Sequence, residues 1–273
     1  MKKIFFILPI ILFLSFPNNI IAKEITNIQW EKSVAKGKKL KKFRETVTSP
    51  ALGEKAWKIT LLPRDCGNDG GKYSDCQNNG KDAVVGHGGG DRARSEYSSK
   101  KRYRGEKWIS VSIFLPNDFK SVEPVSTSLF QIYEWGKTNQ QRHPRMMLRV
   151  ENGKLEPRYY PVNGRDVPGK INKHLYIDDM RDKWTTIIFH TKMGKEAGKG
   201  FVKMYVNDTL YNEYNGRTGY GGEFFNKFGI YHSWISRWNW NNDGYEDYPT
   251  QVVYYDNLFR ASSEKKLFKL LKK

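Results

Sequence analysis

The sequence predicts an all-β fold, a sandwich or jelly roll of two antiparallel sheets. Three observations carry this. From residue 56 onward, short apolar stretches recur between Gly, Asn, Asp and Pro residues, the punctuation of a many-stranded domain. Several of these stretches alternate apolar and polar residues, the period of a strand with one buried face. Only SSEKKLFKLLKK (262–273) has helical spacing. No repeat and no low-complexity linker divides the chain, so residues 56–261 read as one domain.

The strands follow in order. KWISVSIFLP (107–116) puts Ile109, Val111, Ile113 and Leu115 on one face, with Ser110 and Ser112 on the other. SLFQIYEW (128–135) places Leu129, Gln131, Tyr133 and Trp135 together. RMMLRVENGKLEPRYY (145–160) reads as a hairpin turning at Asn152-Gly153, a pair suited to a turn with positive φ. KWTTIIFHTKM (183–193) and GFVKMYVND (200–208) form two more antiparallel strands, and NKFGIYHSW (226–234) and QVVYYDNLFRA (251–261) close the series. Such a sandwich buries one face of each sheet. A curved free face makes a groove.

The ends read differently. Lys2 and Lys3 precede an apolar run from Ile4 to Phe16, and Asn18 to Ala22 can carry a cleavage site, so residues 1–22 read as a secretory signal peptide. The run is short for a membrane span. The expected product is exported, periplasmic or secreted, with no stable membrane association after cleavage. Residues 23–55 form a basic lead-in, with KGKKLKKFRE at 36–45, and residues 262–273 form a basic tail read as a solvated terminal helix.

The net charge is +18; residues 1–22 hold two lysines and no acid, which leaves +16. A basic exported protein attracts polyanions, and outside the cytoplasm an acidic polysaccharide is the natural partner rather than nucleic acid. A monomer is expected. Cys66 and Cys76 can pair as a disulfide in an oxidising compartment. No cofactor is required by the sequence. Asp65, Asp69, Asp75 and Asp82 leave a structural calcium open, though their spacing is not that of an EF-hand.

The chemistry lies in rows. GHGGGDRARSEY (86–97) is a glycine-rich approach to a strand with Arg92, Arg94 and Glu96 on one face. A second strand offers Gln131 and Tyr133. A third, KFGIY (227–231), offers Lys227, Gly229 and Tyr231. Lys227 and Tyr231 sit roughly 13 Å apart along an ideal strand, and Gly229 between them leaves space for a ligand against the backbone. A guanidinium fork grips a planar carboxylate. Neutralising the carboxylate of a uronic acid makes its C5 proton removable, a base takes that proton, and an acid protonates the departing glycosidic oxygen. The plainer reading of Arg94 and Glu96 is an ion-pair row, and of Tyr231 an ordinary sheet aromatic.

RSEY (94–97), QIY (131–133) and KFGIY (227–231), in that order, resemble three motifs of the β-jelly-roll polysaccharide lyases. The last motif and the pair DKWTTIIFH and GFVKMYVND (182–208) look closer to the heparin lyase and glucuronan lyase-like branch than to its alginate lyase relatives. The resemblance covers about residues 56–261 and implies a concanavalin-like sandwich with a substrate groove on its concave face, and cleavage of a uronate-containing polysaccharide by β-elimination. It implies that Arg94 and Gln131 hold the carboxylate, that Tyr231 is the catalytic acid and also a candidate base, that Lys227 supplies positive charge, and that Glu96 orients Arg94. Where alginate lyases carry a histidine, this chain has Tyr133. Tyr231 alone, Tyr133, or His87 from the glycine-rich loop can take its place, with Tyr231 assisted by His87 preferred. Arg92, His143 and Trp135 are further substrate-binding candidates. His190 and His232 read as structural.

Two rival functions remain at this stage. A non-catalytic, lectin-like sandwich binding acidic glycans explains the fold and charge without needing Lys227 and Tyr231. A glycoside hydrolase needs a close carboxyl pair, and none is evident.

Overall fold

The computed structural model describes residues 25–32, 44–63, 65, 92–162, 165–196, 198–241 and 248–272. Strands are numbered β1 to β15 along the chain. One sheet has seven strands in the order β1 (Trp30–Lys32), β4 (Arg92–Ser99), β14 (Glu223–Ser233), β6 (Ser126–Trp135), β7 (His143–Glu151), β8 (Lys154–Val162) and β9 (Arg165–Val167). The other has eight, in the order β10 (Lys170–Ile171), β13 (Thr209–Gly216), β12 (Gly200–Val206), β11 (Trp184–Met193), β5 (Gly105–Phe114), β15 (Gln251–Ala261), β3 (Ala56–Leu61) and β2 (Arg44–Val47). Every ladder is antiparallel. The chain changes sheet at β1–β2, β3–β4, β4–β5, β5–β6, β9–β10, β13–β14 and β14–β15. This crossing makes β4, β14 and β6 neighbours although they lie far apart in sequence.

The core lies between the sheets. Val111 and Ile113 of β5 and Ile187 and Phe189 of β11 meet Phe130 and Ile132 of β6 and Phe228 and Ile230 of β14. The rings of Phe130 and Phe189 stack at 5.4 Å. At one end Trp57, Tyr97 and Trp30 close around Phe228, with centroids 5.2, 5.6 and 4.7 Å away. The lead-in is thus tied to the sandwich: β1 and β2 form an edge strand of each sheet. The hairpin turns at Asn152 and Gly153, with φ of 51° and 68°, as a two-residue turn of the primed type requires.

Three expectations change. Leu129 does not share a face with Gln131. The register between β6 and β7 shifts between Ser128 and Phe130, and Leu129 packs into the core. Ser110 and Ser112 are buried rather than solvated. An irregularity in β15 between Asp256 and Phe259 lets Asn257 accept from Ser110 Oγ at 2.6 Å through its carbonyl and donate to Ser112 Oγ at 2.9 Å through Nδ2. The C-terminal tail is not a solvated helix. After a short helix α1 (Ser236–Asn241) that the sequence does not predict, α2 (Glu264–Leu271), capped by Ser263, docks on the outer face of the eight-stranded sheet. There Leu267 is fully buried with Ile188, Phe259 and Ala261.

A Leu267→Ala variant should lose about 2–4 kcal/mol of unfolding free energy, measured by urea denaturation. A loss near zero would show that the helix does not hold to the sheet.

Candidate active site

The site is built on the face of the seven-stranded sheet that points away from the core. Along β4, Ala93 and Tyr97 enter the core, so alternation turns Arg94 and Glu96 outward. Along β14, Phe228 and Ile230 enter it, which turns Lys227 and Tyr231 outward. The register places Tyr231 opposite Arg94, Gly229 opposite Glu96 and Lys227 opposite Ser98 on β4. On its other side, Lys227 faces Gln131 of β6. Three sequence-distant motifs therefore meet at one spot.

Glu96 is the centre of this spot. It is 1% exposed. Its Oε1 accepts a short 2.5 Å hydrogen bond from Gln131 Nε2. Its Oε2 lies 3.5 Å from the Arg94 guanidinium and 3.7 Å from Lys227 Nζ. The guanidinium of Arg94 also sits over the Tyr231 ring, 4.7 Å from its centroid, and Lys227 Nζ lies 5.1 Å from the Tyr133 centroid. Arg94, Gln131 and Lys227 are themselves buried. One carboxylate thus holds two cations and an amide on the groove floor, and the two cations bear on two tyrosine rings. Arg92 is half-buried at the next outward position of β4, opposite Ser233.

Other expected residues have different surroundings. Tyr133 donates its hydroxyl to Arg142 O at 2.8 Å, and burial pushes its pKa up against the opposing pull of Arg94. His143 is half-buried against Tyr160, with centroids 5.6 Å apart and Nδ1 3.1 Å from Pro144 O; burial pulls its pKa down. Trp135 ends β6 and is 39% exposed. His87, Cys66 and Cys76 lie outside the described residues, as do Asp69, Asp75 and Asp82. Asp65 Oδ2 accepts from Leu62 N at 3.2 Å. Among the described residues no group of three or more His, Cys, Asp or Glu could hold a metal ion.

The role expected of Gly229 is corrected. A Cβ there would press into the carbonyl of Ser95 and come within 2.8 Å of Glu96 Cα, and φ is +123°. Glycine is required by the approach of β4, not by a ligand. The backbone is irregular here, because the β14–β6 register shifts between Phe228 and Tyr231. Tyr255 Oη braces the irregularity from the core, shared between the carbonyls of Leu129 and Gly229 at 3.0 Å each.

Sequence reasoning missed Glu134 and Arg145. Glu134 is fully buried and accepts from Arg145 Nε at 2.6 Å, Tyr220 N at 2.8 Å and Gly222 N at 2.6 Å. The pair fastens the 217–222 turn to the end of β6, beside the groove. The signal was present: Glu134 falls on the inward phase of an otherwise apolar strand. Arg149 and Tyr160 were also missed. Arg149 pairs with Ser128, which pairs with Tyr231, and Tyr160 is near enough to Tyr231 for the two phenols to couple.

Residues 23–259 match the family model described as polysaccharide lyase, and the chain therefore belongs to the polysaccharide lyase family, enzymes that break carbon–oxygen bonds in polysaccharides. No curated protein matches the sequence. Among solved structures, the chain is similar to an endo-β-1,4-glucuronan lyase from the fungus Trichoderma reesei, at 17% identity and a TM-score of 0.56, over 86% of this chain and 91% of that one. It is similar to the cellulose induced protein Cip1 at 10% identity and a TM-score of 0.53, over the same shares of 86% and 91%. An alginate lyase from Pseudomonas aeruginosa shares 9% identity, with a TM-score of 0.49 over 81% and 86%. The first two likenesses show the fold, a jelly-roll sandwich with unclosed sheets.

His232 gives the site's scaffold a pH dependence. Its ring is fully buried behind the groove floor, with Nε2 2.7 Å from Gln251 Oε1. Burial drives its pKa down to about 4, so the native ring is neutral. The unfolded chain takes up its proton first, near pH 6.5. Stability should fall by about 3 kcal/mol as pH drops from 6.5 to 4. Melting temperatures across that range should decline less steeply for His232→Gln than for wild type. Parallel declines would remove His232 as the cause.

Proposed function

We propose that the protein is an exported lyase that cleaves a uronate-containing acidic polysaccharide by β-elimination. The observation that carries this reading is the convergence of Arg94, Gln131 and Lys227 on Glu96 with Tyr231 beneath the Arg94 guanidinium. The net positive charge supports an acidic substrate. The leader-like first 22 residues, with the family match starting at Lys23, support export.

In this reading Arg94 and Gln131 neutralise the substrate carboxylate. Glu96 holds a donor of each and so fixes where the guanidinium and the amide point. Charge that develops as the C5 proton leaves is then stabilised by groups already in position. Tyr231 takes the C5 proton and returns it to the glycosidic oxygen as the C4–O bond breaks and a C4–C5 double bond forms. No water is consumed, and the tyrosine ends as it began. The cycle starts from the phenolate, with the Arg94 guanidinium against its ring. Tyr133 is a poor base, because its hydroxyl is already engaged with Arg142 O and burial opposes its ionisation. His87, in the glycine-rich sequence before β4, is the residue proposed to assist.

The test uses the chain from Lys23 onward and a panel of polyuronates including alginate, glucuronan and heparin-like glycans. The ultraviolet absorbance of the unsaturated uronate is followed. One polymer should give a signal; Tyr231→Phe, melting as wild type does, and Arg94→Ala, assayed well below its lowered melting temperature, should each lower kcat/KM at least about 10²-fold. Silence across the panel, or full activity in Tyr231→Phe, would overturn the reading.

A further inference from the structure

Beyond Gln131 and Lys227, the outward face of β6 and β14 continues as Tyr133 beside Phe225, their rings 5.0 Å apart, and then as Trp135 opposite Glu223. Trp135 lies about 13 Å along the strand from Gln131. Two guanidiniums lie against its indole: Arg102, in the turn after β4, at 5.2 Å from the ring centroid, and Arg142, just before β7, at 5.0 Å. Arg142 donates Nε to Gly136 O at 3.0 Å. Arg104 donates to the carbonyls of Gly221 and Gly222 at 3.1 and 3.2 Å. Glu223 is the only acid paired with any of these arginines among the described residues, 3.7 Å from both Arg102 and Arg104. Arg102 and Arg142 therefore flank an exposed indole, and Arg102 shares its one carboxylate, Glu223, with Arg104.

We propose that Arg102, Arg142 and Trp135 form a distal subsite that binds the carboxylate of a sugar beyond the one held at Gln131. This rests on the lyase reading and deepens it. The substrate is a chain that carries anionic groups in succession, not an isolated uronate in a neutral polymer. Planar guanidiniums stacked on an aromatic ring are held in place before the ligand arrives, so less rotamer entropy is lost on binding. Beyond Glu223 and the Gly136 carbonyl, the Arg102 and Arg142 guanidiniums have donors that an anion can engage. The aromatic pair Tyr133–Phe225 bridges the two anion sites with a surface that a sugar ring can cover.

The experiment compares Arg102→Gln/Arg142→Gln with Lys265→Gln/Lys266→Gln on α2, which removes the same charge far from the groove. Long polyuronate and the shortest oligosaccharide cleaved serve as substrates, and melting temperatures report folding. The arginine pair should raise KM for the polymer about tenfold at low salt, leave kcat unchanged, and leave KM for the shortest oligosaccharide as in wild type. The lysine pair should change neither. Equal effects of the two pairs would mean general attraction of polyanions and overturn the subsite; so would an unchanged KM in the arginine pair. If wild type turns over no polyuronate, the lyase reading fails separately. Retardation of the protein in polyuronate-containing gels then tests the subsite alone, and unchanged retardation of the arginine pair overturns it.

Discussion

A carboxylate buried under two cations is the constraint around which the groove is organised. Glu96 is nearly inaccessible to water, and an isolated charge there would be costly. The cost is offset only because Gln131, Arg94 and Lys227 all reach it. Breaking such a cluster by removing one partner leaves the others uncompensated, a loss of about 3–5 kcal/mol in buried pairs elsewhere. The cluster also does something that a hydrophobic substitute could not. It fixes the directions of three polar side chains on one small area.

The fold makes that geometry possible through connectivity rather than local structure. Alternate sheet crossings bring β4, β14 and β6 side by side, so residues more than a hundred positions apart share one row. Fine adjustment comes from the backbone. Gly229 lets β4 approach closely, the neighbouring register shift re-aims Tyr231 toward Arg94, and Tyr255 holds the irregularity from below. At the groove end, the buried Glu134–Arg145 pair secures the turn that borders it. Core and site are thus coupled: polar groups under the sheet set where the outward side chains point.

Much of this was legible in the sequence. Period-two alternation located the main strands, Asn152-Gly153 marked a real turn, and the outward phase of β4 and β14 was read correctly for Arg94, Glu96, Lys227 and Tyr231. What failed depended on long-range geometry. A one-residue shift in β6 sends Leu129 inward, and periodicity cannot announce such a shift. Ser110 and Ser112 looked solvated because Asn257, their partner, lies far away in sequence. Gly229 was assigned to a ligand because the approach of β4 cannot be seen along β14. The tail looked free because its alternative, burial of Leu267, depends on an outward apolar patch formed by β11 and β15. Glu134 was overlooked since its three partners, Arg145, Tyr220 and Gly222, come from two segments outside β6.

The most direct measurement on the central cluster is the steady-state kinetics and structure of Glu96→Gln, an isosteric change that removes only the charge. In the proposed mechanism Glu96 is a positioning residue, acting through Arg94, Gln131 and Lys227. The expected result is a fall in kcat/KM of about 10²-fold, carried mainly by kcat, with Arg94 displaced from the Tyr231 ring and Glu96→Asp recovering part of the rate. Wild-type kinetics in Glu96→Gln, with Arg94 still over Tyr231, would contradict the view that this carboxylate organises the site.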